Sequence, residues 1–208
     1  MARYAGPVCK LCRRIGDKLL LKGDRCLTPK CAVERRAAKV QRGGPRRRRV
    51  SDRGLQLKEK QRARYTYGLM ERQFRNSFAE AVRQDGITSE NLLVLLERRL
   101  DNVIYRLGFA DSRAQARQVV RHGHILLNGH RCDIPSCLVK LGDKISWHES
   151  ATKKEYYKAL VGIIEGRIVP SWLSLEKETM TGLIASYPDT TEIDTRYDGK
   201  AIVEYYSR

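Results

Sequence analysis

Ser112-Arg113-Ala114-Gln115-Ala116-Arg117-Gln118-Val119-Val120-Arg121 runs directly into His122-Gly123-His124-Ile125-Leu126-Leu127-Asn128-Gly129-His130-Arg131-Cys132. The first half reads as a capped helix. Ser112 offers a side-chain acceptor to the third helical amide, and Gln115 is spaced to reach back in a capping box. Ala116, Val119 and Val120 supply a buried side, while Arg113, Arg117 and Arg121 recur every four residues and predict a broad exposed cationic face. The second half reads as two short strands around Asn128-Gly129, a pair that tolerates the positive φ of a two-residue hairpin turn. Helix, glycine and hairpin make one compact unit. Immediately upstream, Leu92, Leu96, Leu100, Val103 and Leu107 form a stripe that predicts one long helix from Ser89 to Gly108.

Further from this centre the pattern stays mainly helical. Ser51 is placed to cap a charged helix ending near Gly68, and Glu71 to about Gln84 predicts a second, with Phe74, Phe78, Ala81 and Val82 on its buried face. Toward the C-terminus a helix is expected over 153–165, with strands at 172–175 and at Ala201-Ile202-Val203-Glu204-Tyr205-Tyr206. The fold class is therefore α+β, with helices packed on a small antiparallel sheet.

The chain has 208 residues, enough to bury a real core. Its 41 Lys and Arg against 24 Asp and Glu give a net charge of +17, which points to polyanions as partners. That excess is concentrated at one end: residues 1–50 carry 16 basic and 3 acidic side chains, residues 151–208 carry 8 and 9. The longest apolar run is Leu92 to Leu96, too short to span a bilayer, and the first residues lack the apolar segment of a secretory signal, so no membrane association and a cytoplasmic location are expected. Arg46, Arg47, Arg48 and Arg49 follow Gly43-Gly44-Pro45 in a segment that glycine and proline keep irregular, and are candidates for phosphate contacts.

Four of the six cysteines lie in the basic segment as Cys9-x2-Cys12 and Cys26-x4-Cys31, separated by thirteen residues. Two close pairs returned by a short loop have the spacing of a tetrahedral zinc site, and four thiolates leave no open position for water, so the site is structural. Two disulfides conflict with a reducing compartment; an iron–sulfur cluster is the alternative that all-cysteine ligation leaves open. Cys132 and Cys137 have no second pair beside them and read as ordinary thiols. His122, His124 and His130 lack metalloprotease spacing and a paired carboxylate, and read as polar contacts at a nucleic-acid surface. No phosphate-binding loop, dinucleotide fingerprint or nucleophile elbow is present, so no enzyme chemistry is expected.

Arg99-Leu100-Asp101-Asn102-Val103, Tyr105-Arg106-Leu107-Gly108-Phe109-Ala110, Ser112-Arg113, Ala116-Arg117-Gln118, His122-Gly123-His124-Ile125 and Asn128-Gly129 together resemble the RNA-binding module named after ribosomal protein S-four. Ala2-Arg3-Tyr4, Gly6-Pro7, Leu57, Glu59-Lys60-Gln61, Glu71 to Asn76, Glu204 and Tyr206-Ser207 extend the resemblance to the small-subunit ribosomal family across the whole chain, in its zinc-binding branch. The resemblance implies a zinc-binding basic segment over 1–45, a mainly helical domain over 46–97 with a C-terminal strand from 185–208, and an S-four-type RNA-binding domain over 98–184. It implies binding to the helix junction in the first domain of small-subunit rRNA, nucleation of assembly, and a part in decoding accuracy. Ribosomal protein S-five and other small-subunit proteins, and mRNA where it enters the subunit, are the implied neighbours. Ser112, Arg113, Arg117, His122, His124 and Asn128 lie, by the family's pattern, in or beside the RNA-contact unit, with Arg121 on the same cationic face. A zinc-dependent DNA regulator is the rival within nucleic-acid binding, but no recognition helix is set out for base edges. An RNA-modifying enzyme is the rival from another class.

Overall fold

A computed structural model describes residues 3–40, 51–189, 192–193 and 197–207. The chain divides into two compact units, Met1–Leu92 with Asp194–Arg208, and Leu93–Ile193.

The first unit is helical. Helix α1 (Cys9–Ile15) and α2 (Ala32–Val40) flank a loop with one 3₁₀ turn. Leu11, Cys12, Ile15 and Leu19 share a small core with Tyr65 of α3 (Asp52–Thr66), so the cysteine-bearing segment is packed onto a helix rather than left as a tail. Ser51 caps α3, its Oγ accepting from the Gly54 amide at 3.3 Å. On α4 (Glu71–Arg83), Phe74 and Ala81 are fully buried, but Val82 is 55% exposed and so leaves the expected buried face.

The C-terminal segment corrects the reading of a strand. Residues Gly199–Tyr206 form a helix, α10. Its β-branched and aromatic run suggests a strand, but Asp198 accepts from the amides of Lys200 and Ala201 at 2.9 and 3.3 Å and starts a helical turn. Helical spacing then places Ile202, which is fully buried, and Tyr206, which is half-buried, four residues apart on one side. The Tyr206 ring stacks on Phe78 at 4.6 Å, and its hydroxyl donates to Glu71 at 2.8 Å. Gln56 of α3 donates to Glu204 at 2.7 Å. The Lys60 ammonium, almost wholly buried, bonds Glu71 at 2.7 Å and lies 4.7 Å from the Tyr205 ring centroid.

The expected long helix, which begins in the first unit and runs into the second, is broken. Helix α5 (Thr88–Glu97) stops, and α6 (Leu100–Arg106) begins anew. The stripe Leu92, Leu96, Leu100, Val103 and Leu107 is fully buried as expected, but Arg99 is extended and bridges Leu138. Val139 donates to the Arg98 carbonyl at 3.0 Å and Leu100 donates to that of Cys137 at 2.8 Å, so a distant segment takes the backbone groups that continued helix would have used. Helix α7 (Arg113–Arg121) follows the reading closely: Ser112 Oγ accepts from the Gln115 amide, although Gln115 Oε1 turns back to the amide of Asp111 rather than Ser112.

A five-stranded antiparallel sheet, in the order β2-β1-β3-β5-β4, completes this unit. Strands β1 (Ile125–Leu127) and β2 (His130–Arg131) pair across Asn128 and Gly129, at φ 51° and 80°, the two positive values of the expected turn. Strands β3 (Lys144–Trp147) and β5 (Thr181–Ile184) were not evident from the sequence; β4 (Leu173–Glu176) falls where a strand was expected. At Gly182 a Cβ would collide with the methyls of buried Leu107, which accounts for a glycine inside a strand. Between β3 and β4 lie the short α8 (Glu149–Thr152) and α9 (Glu155–Ile163), which continues as a 3₁₀ turn. The core gathers Leu100, Ile104, Leu107, Phe109, Val120, Ile125 and Ile145, all fully buried.

Candidate nucleic-acid interface

Helix α7, the hairpin and the approach to α9 meet at one edge of the second unit. Arg121 and His122 are exposed at the end of α7, and His124 follows after Gly123. Gly123 has φ 66°, and a Cβ there would occupy the place of the Arg131 guanidinium, which donates to the His122 carbonyl at 3.3 Å. The His122 and His124 rings lie edge to face, 5.7 Å between centroids. Lys154 Nζ is 3.1 Å from His124 Nε2. A cavity of about 270 Å³, floored in part by Trp147, opens among His122, His124, Lys154, Gln115 and Gln118. Beneath it Tyr156 donates to the Phe109 carbonyl at 2.6 Å, and burial pushes its phenol up to about 12.

The expected arginine stripe does not hold together on the surface. Arg121 is exposed, but Arg117 is 7% exposed and its guanidinium donates to Asp101 at 2.9 Å. Asp101 also receives Arg99 through two bonds of 3.1 and 2.9 Å, so one buried carboxylate is shared by two arginines. Arg113 is turned inward as well, donating to Asn102 at 2.7 Å and lying 4.6 Å from the Tyr105 ring centroid. Asn102 donates in turn to buried Glu97, which takes Arg106 through bonds of 2.9 and 2.8 Å. The physical reason is the acidic pair: Glu97 and Asp101 flank the helix break inside the apolar stripe, and buried carboxylates must be matched. Ser112 spends its hydroxyl on the helix cap. Asn128 holds the turn against β3, donating to Asp143 and accepting from the Lys144 amide, both at 2.8 Å. Arg46, Arg47, Arg48 and Arg49 lie outside the described residues.

Sequence reasoning missed Arg131 and Lys154, which join the histidines only through the sheet and the α8–α9 turn. No periodicity could have announced them.

In the first unit, Cys12, Cys26 and Cys31 are buried and Cys9 is half-buried, all as free thiols. Burial pushes the Cys12 thiol up, and the charges of Cys26, Cys9 and Cys31 push the same way, against a backbone hydrogen bond at Leu19. The four thiols therefore share one neighbourhood. Among the described residues, however, no three His, Cys, Asp or Glu side chains are already gathered as a metal site. The donor chemistry of four thiols fits zinc.

Comparison with known proteins adds the family. Residues 3–97 match the family described as ribosomal protein S4/S9 N-terminal domain, and residues 98–145 match the S4 domain. The chain is 52% identical to the small ribosomal subunit protein uS4 of Dehalococcoides mccartyi (strain CBDB1), 53% identical to that of Pelotomaculum thermopropionicum and 51% identical to that of Syntrophomonas wolfei, covering 100% of both chains in each case. Two family matches that abut at the α5–α6 break, and identity near one half over full length, leave one conclusion: the chain belongs to the uS4 family of small ribosomal subunit proteins.

Proposed function

We propose that this chain is a primary rRNA-binding protein of the small ribosomal subunit, which binds the helix junction in the first domain of small-subunit rRNA and nucleates assembly around it. The observation that carries this reading is the identity of about one half over the full length of small ribosomal subunit proteins. As a ribosomal component in the cytoplasm it is a structural protein and not an enzyme. Phosphate contacts supply affinity and the folded shape of the junction supplies specificity. Within the RNA-contact unit, Arg121, His122, His124, Arg131 and Lys154 are the side chains turned outward to meet phosphate, whereas Arg113 and Arg117 act by fixing α7 in place. Ser112 and Asn128 shape the backbone that presents them. Arg46 to Arg49 are proposed to lie near mRNA where it enters the subunit, and the protein to contribute to decoding accuracy through contact with ribosomal protein S-five.

Equilibrium binding of the full chain to that rRNA domain, against a base-shuffled RNA over a range of salt, tests the reading. Preference for the native junction should persist at high salt, and Arg121→Ala should lower the slope of log affinity against log salt by about 0.7–0.9. Equal binding of both RNAs would refute junction recognition.

Cys9, Cys12, Cys26 and Cys31 are proposed to hold one structural zinc ion. Those four side chains would tie α1 to the turn before α2 through the ion, and so fix the basic side chains Lys10, Arg13, Arg14, Arg25 and Lys30. Elemental analysis of purified protein should find one zinc per chain, and its removal should open residues 1–45 to protease while leaving the second unit resistant. Iron in place of zinc, or unchanged cleavage, would contradict it.

A further inference from the structure

We propose that His122, His124, Arg131 and Lys154 form a site for a single phosphodiester of bound RNA, and that filling the site adds one proton to His124. The inference rests on the RNA-binding reading above and goes further, to the chemistry of one contact.

Geometry sets the protonation state of His124 in the free chain. A lysine ammonium can only donate, so at 3.1 Å from Lys154 Nζ the Nε2 atom of His124 must accept. His124 is then neutral, with its proton on Nδ1. The basic groups that face it come from every element packed around it: His122 from the end of α7, Arg131 from β2, His148 ahead of α8, and Lys154 at the start of α9. The nearest carboxylates in sequence, Asp133 beside Arg131 and Glu149 and Glu155 beside His148 and Lys154, are exposed, and Glu149 pairs with Lys153 at 3.7 Å. Burial, then the Lys154 ammonium and the other three basic neighbours, hold His124 below the usual imidazole range. Basic groups are thus collected from four parts of the fold, with His122, His124 and Lys154 lining one cavity, and the charge effects on His124 come from these groups. That is the arrangement an anion completes.

A phosphate oxygen placed between Lys154 and His124 accepts from the ammonium and from an Nε2–H that the imidazole gains from solvent. The hydrogen bond from Lys154 to His124 is replaced by two charge-assisted bonds to one anion. The bound anion reverses the local field and raises the histidine's affinity for a proton. The contribution of His124 is therefore complete below the lowered value of the free chain. It is lost as pH rises through the raised value of the complex, so RNA affinity increases as pH falls across that window.

Calorimetric titration of the full chain with the first-domain rRNA fragment, at fixed salt and in buffers of different ionisation enthalpy between pH 6 and 8, counts the protons. Net uptake should approach one at its maximum, and affinity should rise by up to about tenfold per pH unit there. His124→Gln should remove that uptake and flatten the pH profile, bringing affinity at pH 6 down toward its value at pH 8. Lys154→Gln, on an exposed side chain, should lower affinity at pH 8 and also reduce uptake, because the free His124 is no longer suppressed by the ammonium. Uptake that is zero in the parent, or unchanged in both variants, overturns the site. Junction-selective binding without His124-dependent uptake refutes this site alone. His124-dependent uptake on native and shuffled RNA alike refutes junction recognition and leaves the site standing.

Discussion

Asp101→Ala should destabilise the second unit by about 3–5 kcal/mol, the range for leaving buried charge without its partner. The carboxylate is 6% exposed in its side chain and is shared by Arg99 on the extended link and Arg117 on α7. Removing it takes the shared counter-charge from two guanidinium groups that are nearly as buried. It also unties α7 from the α5–α6 break, which places Arg121 and His122 at the candidate interface. Both tryptophans, Trp147 and Trp172, belong to the second unit, so urea unfolding followed by indole fluorescence reads this unit directly. A loss under about 1 kcal/mol, the scale of an exposed ion pair, would show that the network is solvated. Asp101→Asn retains acceptor geometry without the charge and should fall between the parent and the alanine variant.

Trp147→Ala should cost a similar amount, about 3–5 kcal/mol for a large aromatic removed from a packed interior. Trp147 pairs with Ile125 across β1 and β3, and its ring meets Phe109 at 5.5 Å and Tyr157 at 5.4 Å between centroids. Its indole nitrogen is buried without a hydrogen-bond partner, so replacement forfeits packing and no polar contact. Trp147→Phe should recover most of the loss. Because Trp147 floors the cavity beside His122 and His124, the alanine variant should lose RNA affinity in proportion to its unfolded fraction, leaving the salt slope of the folded remainder unchanged. Thermal unfolding monitored by circular dichroism, paired with the rRNA titration, checks both parts.

The sequence was most readable where structure is decided locally. Ser112 and Asn128-Gly129 set α7 and the hairpin within a few residues, and the observed elements follow them. It was least readable where a remote segment intervenes. Nothing between Glu97 and Leu100 declares that residues 137–139 will claim those backbone groups. Arg113 and Arg117 have the spacing of an exposed stripe, and only the fold brings Asp101 and Asn102 beneath them. A local signal was available and outweighed at the C-terminus, where Asp198 caps a helix through a run rich in β-formers. At the candidate interface the histidines were visible in sequence, but Arg131 and Lys154 join them only in three dimensions.

The packing of α10 against α3 has a consequence for how the molecule is made. Gln56 and Glu204, bonded at 2.7 Å, are 148 residues apart in sequence, whereas all of Leu93–Ile193 is continuous. As the polypeptide emerges from the ribosome that synthesises it, the interior segment can finish folding while α3 and α4 still wait for Tyr206 to cover Phe78. The part translated first is thus the part completed last.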